Sequence, residues 1–421
     1  MLIPIIILAI VFLLIAVRQL GSIKLKIWQI MLAGAIAVLI TGQITPAAAL
    51  KSINLDVILF LFGMFVVGQA LEESGYLAHL SYTFFKRAKT LNHLLILILF
   101  IFGISSAFLM NDTLAIIGTP VVLLLAKQHK IHAKILLLAL AFSVTIGSVI
   151  SPIGNPQNLL IAIDASAGMK QPFLDFLKYL FIPTMINLIV CFFVLKLFYN
   201  ERFHNNILAH SQEPIKDHAL TQLSKLSLGI IIILIFLKII FVNFDSNFNL
   251  GFISNFDFKL TYIALGASLP ILLFSRKRVK ILKEIDWHTL IFFCAMFIMM
   301  ESVWETGFFQ AIIQNLSINI ISIPAIFAVS ILLSQLISNV PLVALYLPML
   351  THAGASIKAL AALAAGSTIA GNLLILGAAS NIIIIQNAEK RSAETITFWE
   401  FAKVGLPLTI LNTAVYLIFL R

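Results

Sequence analysis

The sequence has few charged residues and very little cysteine. Only 11% of its 421 residues are charged, whereas 61% are hydrophobic. A soluble protein of this length could not bury so much apolar surface in its core, so the composition indicates a polytopic membrane protein. Both cysteines, Cys191 and Cys294, lie inside apolar runs, which argues against a disulfide framework or a cysteine metal site.

Signatures of nucleotide hydrolysis and of hydrolytic enzymes are also missing. The sequence contains no phosphate-cradling loop of the Walker type, no Gly-x-Ser-x-Gly elbow and no zinc signature. ATP-driven transport within this chain is therefore disfavoured, and we expect neither an enzyme nor a cofactor. The net charge of +10 is better explained by basic cytoplasmic loops than by nucleic-acid binding.

Apolar runs long enough to cross the roughly 30 Å hydrocarbon layer of a bilayer recur along the whole chain. Each run must be helical, because lipid offers the backbone no hydrogen-bond partners. We expect transmembrane helices at residues 2–17, 27–43, 55–70, 135–163, 173–199, 226–243, 260–275, 288–303, 359–385 and 400–420. Two more apolar segments, 92–126 and 322–350, are interrupted by polar residues, and we expect each to fold back as a re-entrant hairpin.

The predicted fold class is an all-α polytopic membrane protein with about ten transmembrane helices and two re-entrant hairpins. Two of the helices, 135–163 and 359–385, are expected to be broken. Most Lys and Arg residues fall in loops that this scheme places on one side, and basic loops mark the cytoplasmic side. We therefore expect a multi-pass protein of a bacterial inner membrane, with both termini on the non-cytoplasmic side.

Three sequence blocks recur in the same order in the two halves of the chain. "GMFVVGQALEESGYLAHL" matches "AMFIMMESVWETGFFQAI" at an offset of 232 residues, "NDTLAIIGTP" matches "NVPLVALYLP" at 228, and "SVISPIGNPQNLLI" matches "GNLLILGAASNIII" at 223. We therefore predict a first repeat at 1–199, a cytoplasmic linker at 200–225 and a second repeat at 226–421. Five spans and a hairpin make an odd number of crossings, so the second repeat should be inverted.

Polar residues interrupt four of the apolar runs, at equivalent places in the two halves. Inverted repeats place their binding site near the membrane midplane, where broken helices present their ends to a ligand. The predicted site residues are Asn111, Asp112, Thr113, Gly154, Asn155, Pro156, Asn158, Ser338, Asn339, Gly377, Ser380 and Asn381. Asp112 is of special interest, because an ionisable side chain at membrane depth costs about 2.5 to 3.5 kcal/mol and usually marks a function.

A structural explanation of the same residues is also open. The asparagines are common helix caps, and Gly-Pro pairs make ordinary kinks or surface turns. Asp112 could also lie in a solvated loop, because the apolar segments on either side of it are short. The symmetric placement of all four polar interruptions in two halves favours a binding site.

The four interruptions resemble the ion transporter superfamily, in particular its branch of arsenite permeases and sodium/proton antiporters, which includes anion-permease-like members with a citrate-transporter-like domain. The resemblance lies in "NDTLAIIGTP", "SPIGNPQNLLIA", "SNVPLVALYLP" and "GNLLILGAASNIII". It implies an elevator motion of the hairpins and broken helices against a scaffold, and a homodimer. We expect Asn111, Asn158, Asn339 and Asn381, with nearby backbone carbonyls, to form the paired ion or substrate sites, and sodium is one candidate ion for them.

The chain departs from the related dicarboxylate/sodium symporters at both hairpin tips. Those tips read Ser-Asn-Thr, with the Asn nine residues before a Pro. Asn111 and Asn339 keep this spacing, but Asp112 and Val340 replace the threonines. An ionised Asp112 would repel a dicarboxylate, so the departure favours a bound cation, a proton, or a neutral acid such as arsenous acid.

The sequence therefore predicts a secondary-active transporter of a small anion or oxyacid, coupled to H+ or Na+. Asp112 would be the protonatable or charge-compensating group. A sodium/proton antiporter, in which Asp112 alternates between the two cations, is the first alternative. A channel or a non-transporting receptor is a further alternative, although a channel would need a continuous polar pore. We expect a small ion and membrane lipid as partners, and no nucleic acid.

Overall fold

The structure is a computed structural model that describes residues 2–17, 19–20, 23–163, 169, 171–200, 208, 214–248, 259–308, 311, 321–392 and 395–421. Almost all of this part of the chain is helical. Strands β1 (Gln19–Leu20) and β2 (Ile23–Lys24) form a two-residue antiparallel pair between the first two helices. The predicted all-α class is confirmed.

The described residues form nineteen α-helices. They are α1 (Ile3–Val17), α2 (Ile27–Ile40), α3 (Pro46–Ser52), α4 (Leu55–Glu73), α5 (Tyr76–Phe85), α6 (Leu91–Leu109), α7 (Asn111–His129), α8 (Ala133–Ser148), α9 (Pro156–Ile163), α10 (Pro172–Phe198), α11 (His218–Phe248), α12 (Leu260–Phe274), α13 (Arg278–Glu284), α14 (Trp287–Trp304), α15 (Ile323–Ile337), α16 (Asn339–His352), α17 (Ile357–Ile369), α18 (Ala379–Ser392) and α19 (Phe398–Leu420).

Six of these helices contain a stretch that is both long and apolar enough to cross a membrane. These stretches are Leu55–Glu73, Leu91–Leu109, Pro172–Phe198, His218–Leu237, Trp287–Trp304 and Phe398–Leu420. Five shorter apolar helices accompany them, and they include parts of α1, α2 and α8. Each predicted span coincides with one helix or with a pair of helices, so the prediction of a multi-pass membrane protein is confirmed.

Helix α11 begins earlier than the sequence pattern suggested. The predicted linker extended to residue 225, but α11 starts at His218. Its start is fixed by Asp217, whose Oδ1 accepts a hydrogen bond of 2.9 Å from the Leu220 N–H. This bond lowers the pKa of Asp217, which also pairs with Lys277 at 3.1 Å. Residues 201–207 and 209–213 of the linker lie outside the described residues.

The helices pack most extensively within two groups. The scaffold group consists of α1, α2, α4, α11, α12 and α14, in which α4 packs on α12 and α2 packs on α14. The hairpin group consists of α6 to α10 and α15 to α19, in which α6 packs on α8 and α15 packs on α17. The hairpin group therefore contains all four polar interruptions of the sequence.

Glycine allows a very close approach of α8 to α6. A Cβ atom on Gly147 would lie 1.9 Å from the carbonyl oxygen of Gly103, far inside van der Waals contact. The two backbones therefore touch at this point, as small residues allow in membrane helix pairs. This contact fixes the position of α8, the helix that leads into the first polar break.

We predict that Gly147→Ala destabilises the protein, because the added methyl group must push α6 away from α8. Overpacking of this kind costs about 1–3 kcal/mol, so the thermal unfolding midpoint in detergent should fall by several degrees. The matched control is Gly229→Ala in α11, where a Cβ atom would meet nothing within 4 Å. An equal loss in both variants would contradict the packing argument.

Candidate functional site

Both hairpins turn at a single residue with an unusual backbone. Met110 separates α6 from α7 with φ 63°, and Ser338 separates α15 from α16 with φ 70°. Residues other than glycine rarely adopt this backbone conformation, which costs about 1–3 kcal/mol. The two residues are 228 positions apart, the offset that pairs Asn111 with Asn339. The two tips thus have the same strained turn, although the sequence suggested a longer polar interruption.

The first broken helix separates α8 from α9, which begins at Pro156. The Asn158 side-chain amide donates to the carbonyl oxygens of Ser148 at 3.2 Å and Ser151 at 3.1 Å. Asn155 Oδ1 accepts from the Asn158 N–H at 2.9 Å. These bonds replace the backbone pairs that the break removes.

The first hairpin tip rests directly on this break. The Asn111 N–H donates to the Gly154 carbonyl at 3.0 Å. Gly154 can take no side chain, because a Cβ atom would lie 2.1 Å from the Ser148 carbonyl oxygen. The turn of the broken helix therefore needs glycine, and it brings Asn111, Gly154 and Asn158 into one connected unit.

Asp112 is a buried carboxylate without a counter-charge. It lies in the first turn of α7 beside Thr113, and it is only 8% exposed, so it does not lie in a solvated loop. Asn111 Oδ1 accepts from the Asp112 N–H at 2.9 Å, but Asp112 Oδ1 is buried without a hydrogen-bond partner. None of the buried side chains of the described residues is Lys, Arg or His. An ion in such a place must be neutralised, because burying an unpaired charge is very costly.

The second broken helix repeats the arrangement of the first. Two 3-10 segments, Ala370–Asn372 and Ile375–Gly377, separate α17 from α18, so this break begins several residues before the expected position at Gly377. The Asn381 side-chain amide donates to the Gly371 carbonyl at 2.6 Å. The offset of 223 that relates Asn158 to Asn381 also relates Ser148 to Gly371. The same hydrogen bond therefore stabilises both breaks.

Thr368 joins the two halves of the site. It lies at the end of α17, and its hydroxyl accepts from the side chains of Asn155 at 3.1 Å and Gln157 at 3.4 Å. The hydroxyl also donates to Asn158 Oδ1 at 3.3 Å. Its repeat equivalent, Thr145, bonds only to the Ala141 carbonyl of its own helix. Thr368 of the second half thus bonds to the first break, whereas the hydroxyl of Thr145 makes no equivalent bond to the second break.

The polar atoms of the second break are less satisfied than those of the first. Asn339 Oδ1, Ser380 Oγ and Asn381 Oδ1 are buried and have no hydrogen-bond partner in the described part of the chain. Asn339, Ser380 and Asn381 all lie in the first turn of a helix. Ser338 lines a small cavity together with Ala378 at the second break. The second break thus has more buried polar atoms without a protein partner than the first.

Sequence reasoning missed Gln157 and Thr368. Gln157 stands inside the quoted block "SPIGNPQN", and the offset of 223 pairs it with Ser380 of the second half. Thr368 lies in a run of small residues that indicated close helix packing. The pairing of Thr145 with Thr368 at the offset of 223 was the signal that could have identified it.

Comparisons with known proteins give a consistent result. A family model described as a citrate transporter matches residues 10–358. An uncharacterised transporter of Mycobacterium tuberculosis is 28% identical over an alignment of 418 positions, which covers 93% of this chain and 92% of that protein. A silicon efflux transporter of Oryza sativa subsp. japonica is 28% identical over an alignment of 441 positions, which covers 91% of this chain and 90% of that protein.

A solved structure shares the fold. The YdaH transporter of Alcanivorax borkumensis superposes with a TM-score of 0.50 at 15% sequence identity. The match covers 99% of this chain and 95% of that one. The match shows that this chain shares the overall fold of that protein.

We predict that Thr368→Val destabilises the protein, because it removes the hydroxyl that bonds to the side chains of Asn155, Gln157 and Asn158. The cost should be about 1–3 kcal/mol, seen as a lower thermal unfolding midpoint, and Thr368→Ser should restore most of it. Thr145→Val is the matched control, since that hydroxyl bonds only within its own helix. Equal effects at the two positions would contradict the role of Thr368 as a link between the halves.

Proposed function

The chain belongs to the citrate transporter family and is a membrane transporter, and from this we infer that it is a secondary-active carrier of a small oxyacid or anion. We propose that H+ or Na+ drives the transport across a bacterial inner membrane. The observation that carries the proposal is the buried, uncompensated carboxylate of Asp112 at the tip between α6 and α7.

We propose that the solute and the coupling ion bind near the midplane between the two breaks. The ligands would be the side chains and freed backbone groups at the two tips and the two breaks. They are Asn111, Asp112, Thr113, Gly154, Asn155, Pro156, Asn158, Ser338, Asn339, Gly377, Ser380 and Asn381. Helix starts present N–H groups and broken turns present carbonyl oxygens, so such a site can contact both signs of charge.

Asp112 is proposed as the coupling group. A carboxylate that is buried without a counter-charge requires a proton or a bound cation. Solute that binds beside it would change the free energy of that neutralisation, and by linkage the ion would change the affinity for solute by the same factor. This reciprocity is what a coupled carrier needs.

Charge favours an oxyacid that is neutral when it binds. The buried side chains of the described residues include no cation that could pair with an anionic solute. A neutral oxyacid, such as silicic or arsenous acid, avoids repulsion by Asp112 and can hydrogen-bond to amides and hydroxyls. The name of the rice relative, a silicon efflux transporter, agrees with this class of solute.

We further propose that the two halves are inverted repeats. An elevator motion would open the site alternately to the two sides of the membrane. The hairpin group contains both tips and both breaks, and it packs mainly within itself. Such a unit can move as one body against the scaffold group. Both termini would lie on the non-cytoplasmic side, and two chains would associate through the scaffold group as a homodimer.

A sodium/proton antiporter is the second candidate, and Asp112 is the observation that favours it. A lone buried carboxylate can bind a proton or a sodium ion in turn, with no other solute. A channel is less well supported, because the described polar groups cluster at the tips and breaks. Saturable flux that depends on a counter-ion would distinguish a carrier from a channel.

We predict that Asp112→Asn abolishes ion coupling, because the amide needs no neutralising ion. The test uses purified protein in liposomes that hold a pH-sensitive dye under an imposed proton gradient. Silicic acid, arsenous acid, phosphate, sulfate, citrate, sodium and lithium are added in turn. We expect an oxyacid or anion to change the dye signal in the wild type, and we expect Asp112→Asn to lose this response.

Asp286→Asn is the matched control, since Asp286 is a second buried acid but caps α14 through the Thr289 N–H and hydroxyl. It should keep the response of the wild type. A response to sodium or lithium alone would make the protein an antiporter. A pH dependence that Asp112→Asn leaves unchanged would exclude Asp112 as the coupling group.

A further inference from the structure

Gln335 is a buried glutamine that the internal repeat does not explain. It lies on α15, three residues before the tip residue Ser338, and it is only 8% exposed. At the offset of 228 that pairs Asn111 with Asn339, Gln335 corresponds to Ala107. The first hairpin therefore has no amide side chain at this place.

The orientation of the Gln335 amide is fixed by two carbonyl groups. Its Nε2 donates to the Ile331 carbonyl at 3.0 Å and to the Ala370 carbonyl at 2.8 Å. Both neighbours are acceptors, so the nitrogen must face them and the oxygen must face away. A Cβ atom on Gly377 would lie 2.8 Å from Gln335 Oε1, so the glycine leaves room for the amide to reach the second break.

Gln335 lines a small cavity where the hairpin group meets the scaffold group. Ser338 at the second tip and Ala378 at the second break line the same cavity. The scaffold side of the lining includes Phe12 from α1 and Met31 from α2. The Gln335 side chain thus reaches the space between the tip, the break and the helices against which the hairpin group packs.

The second half of the site presents hydrogen-bond acceptors that lack donors. Gln335 Oε1, Asn339 Oδ1 and Asn381 Oδ1 are all buried without partners in the described part of the chain. In the first half, Asn158 Oδ1 accepts a bond from Thr368. Amide oxygens repel anions and accept bonds from hydroxyl groups. The second half-site is therefore suited to a solute that donates hydrogen bonds.

We propose that Gln335 is a specificity-determining residue whose Oε1 accepts a hydrogen bond from a hydroxyl group of the transported oxyacid. This inference rests on the proposed function. The first half has the carboxylate of Asp112 where the second half has Val340, and the second half has Gln335 where the first half has Ala107. Ion coupling and solute recognition are thus assigned to different halves.

The test measures uptake of silicic acid and arsenous acid into liposomes that contain the full-length protein. Gln335→Met keeps the size of the side chain but removes the acceptor, together with the two bonds that Nε2 donates to the Ile331 and Ala370 carbonyls. KM should rise by about tenfold, the value of the one hydrogen bond lost to the solute. Gln335→Glu is the conservative rescue, because a protonated carboxyl offers one donor and one acceptor in the same places. Its KM should equal that of the wild type at acidic pH, where the carboxyl is protonated. At higher pH its KM should exceed that of the wild type measured at the same pH.

Gln386→Met is the matched control, since Gln386 is a buried glutamine on α18 whose side chain lies 3.2 Å from the Thr289 hydroxyl and does not line the cavity at the second tip. Its KM should stay unchanged. An unchanged KM in Gln335→Met, while Asp112→Asn still loses coupling, would overturn the inference and leave the carrier proposal standing. If the wild type takes up citrate but neither silicic acid nor arsenous acid, the inference is likewise overturned and the carrier proposal still stands. If the wild type moves no solute at all, the proposed function fails, and the inference fails with it.

Discussion

A helix that breaks inside a bilayer must find new partners for the backbone groups that the break releases, and this constraint organises the centre of the protein. Asn158 supplies a side-chain amide to the Ser148 carbonyl, and Asn381 supplies one to the Gly371 carbonyl. Lipid offers these carbonyl groups no hydrogen-bond partner. In the function that we propose, the same asparagines contact the solute, so stability and binding would depend on the same residues.

The two halves share this framework but differ in the groups added to it. Asp112 brings a charge to the first tip, whereas Gln335 brings a neutral amide to the second hairpin. The Thr368 hydroxyl bonds across to the first break, while Thr145 bonds only within its own helix. A carrier benefits from such inequality, because one half can bind the coupling ion while the other selects the solute.

Much of this architecture could be predicted from the sequence, because lipid leaves apolar runs little choice but to form helices. The positions of Asn111, Asn158, Asn339 and Asn381 followed from the repeated blocks. Three features were beyond reach for physical reasons. Each tip consists of a single strained residue, the second break starts at Ala370, and Gln335 bonds to the Ala370 carbonyl through a tertiary contact that periodicity does not encode.

The most direct test of the central claim measures the affinity of the purified protein for silicic acid across a range of pH, with and without sodium. The account predicts that affinity in the wild type depends on pH or on sodium, because solute binding and the neutralisation of Asp112 are linked. Asp112→Asn should bind with an affinity that depends on neither. The same dependence in both proteins would contradict the claim that this buried carboxylate couples solute to ion.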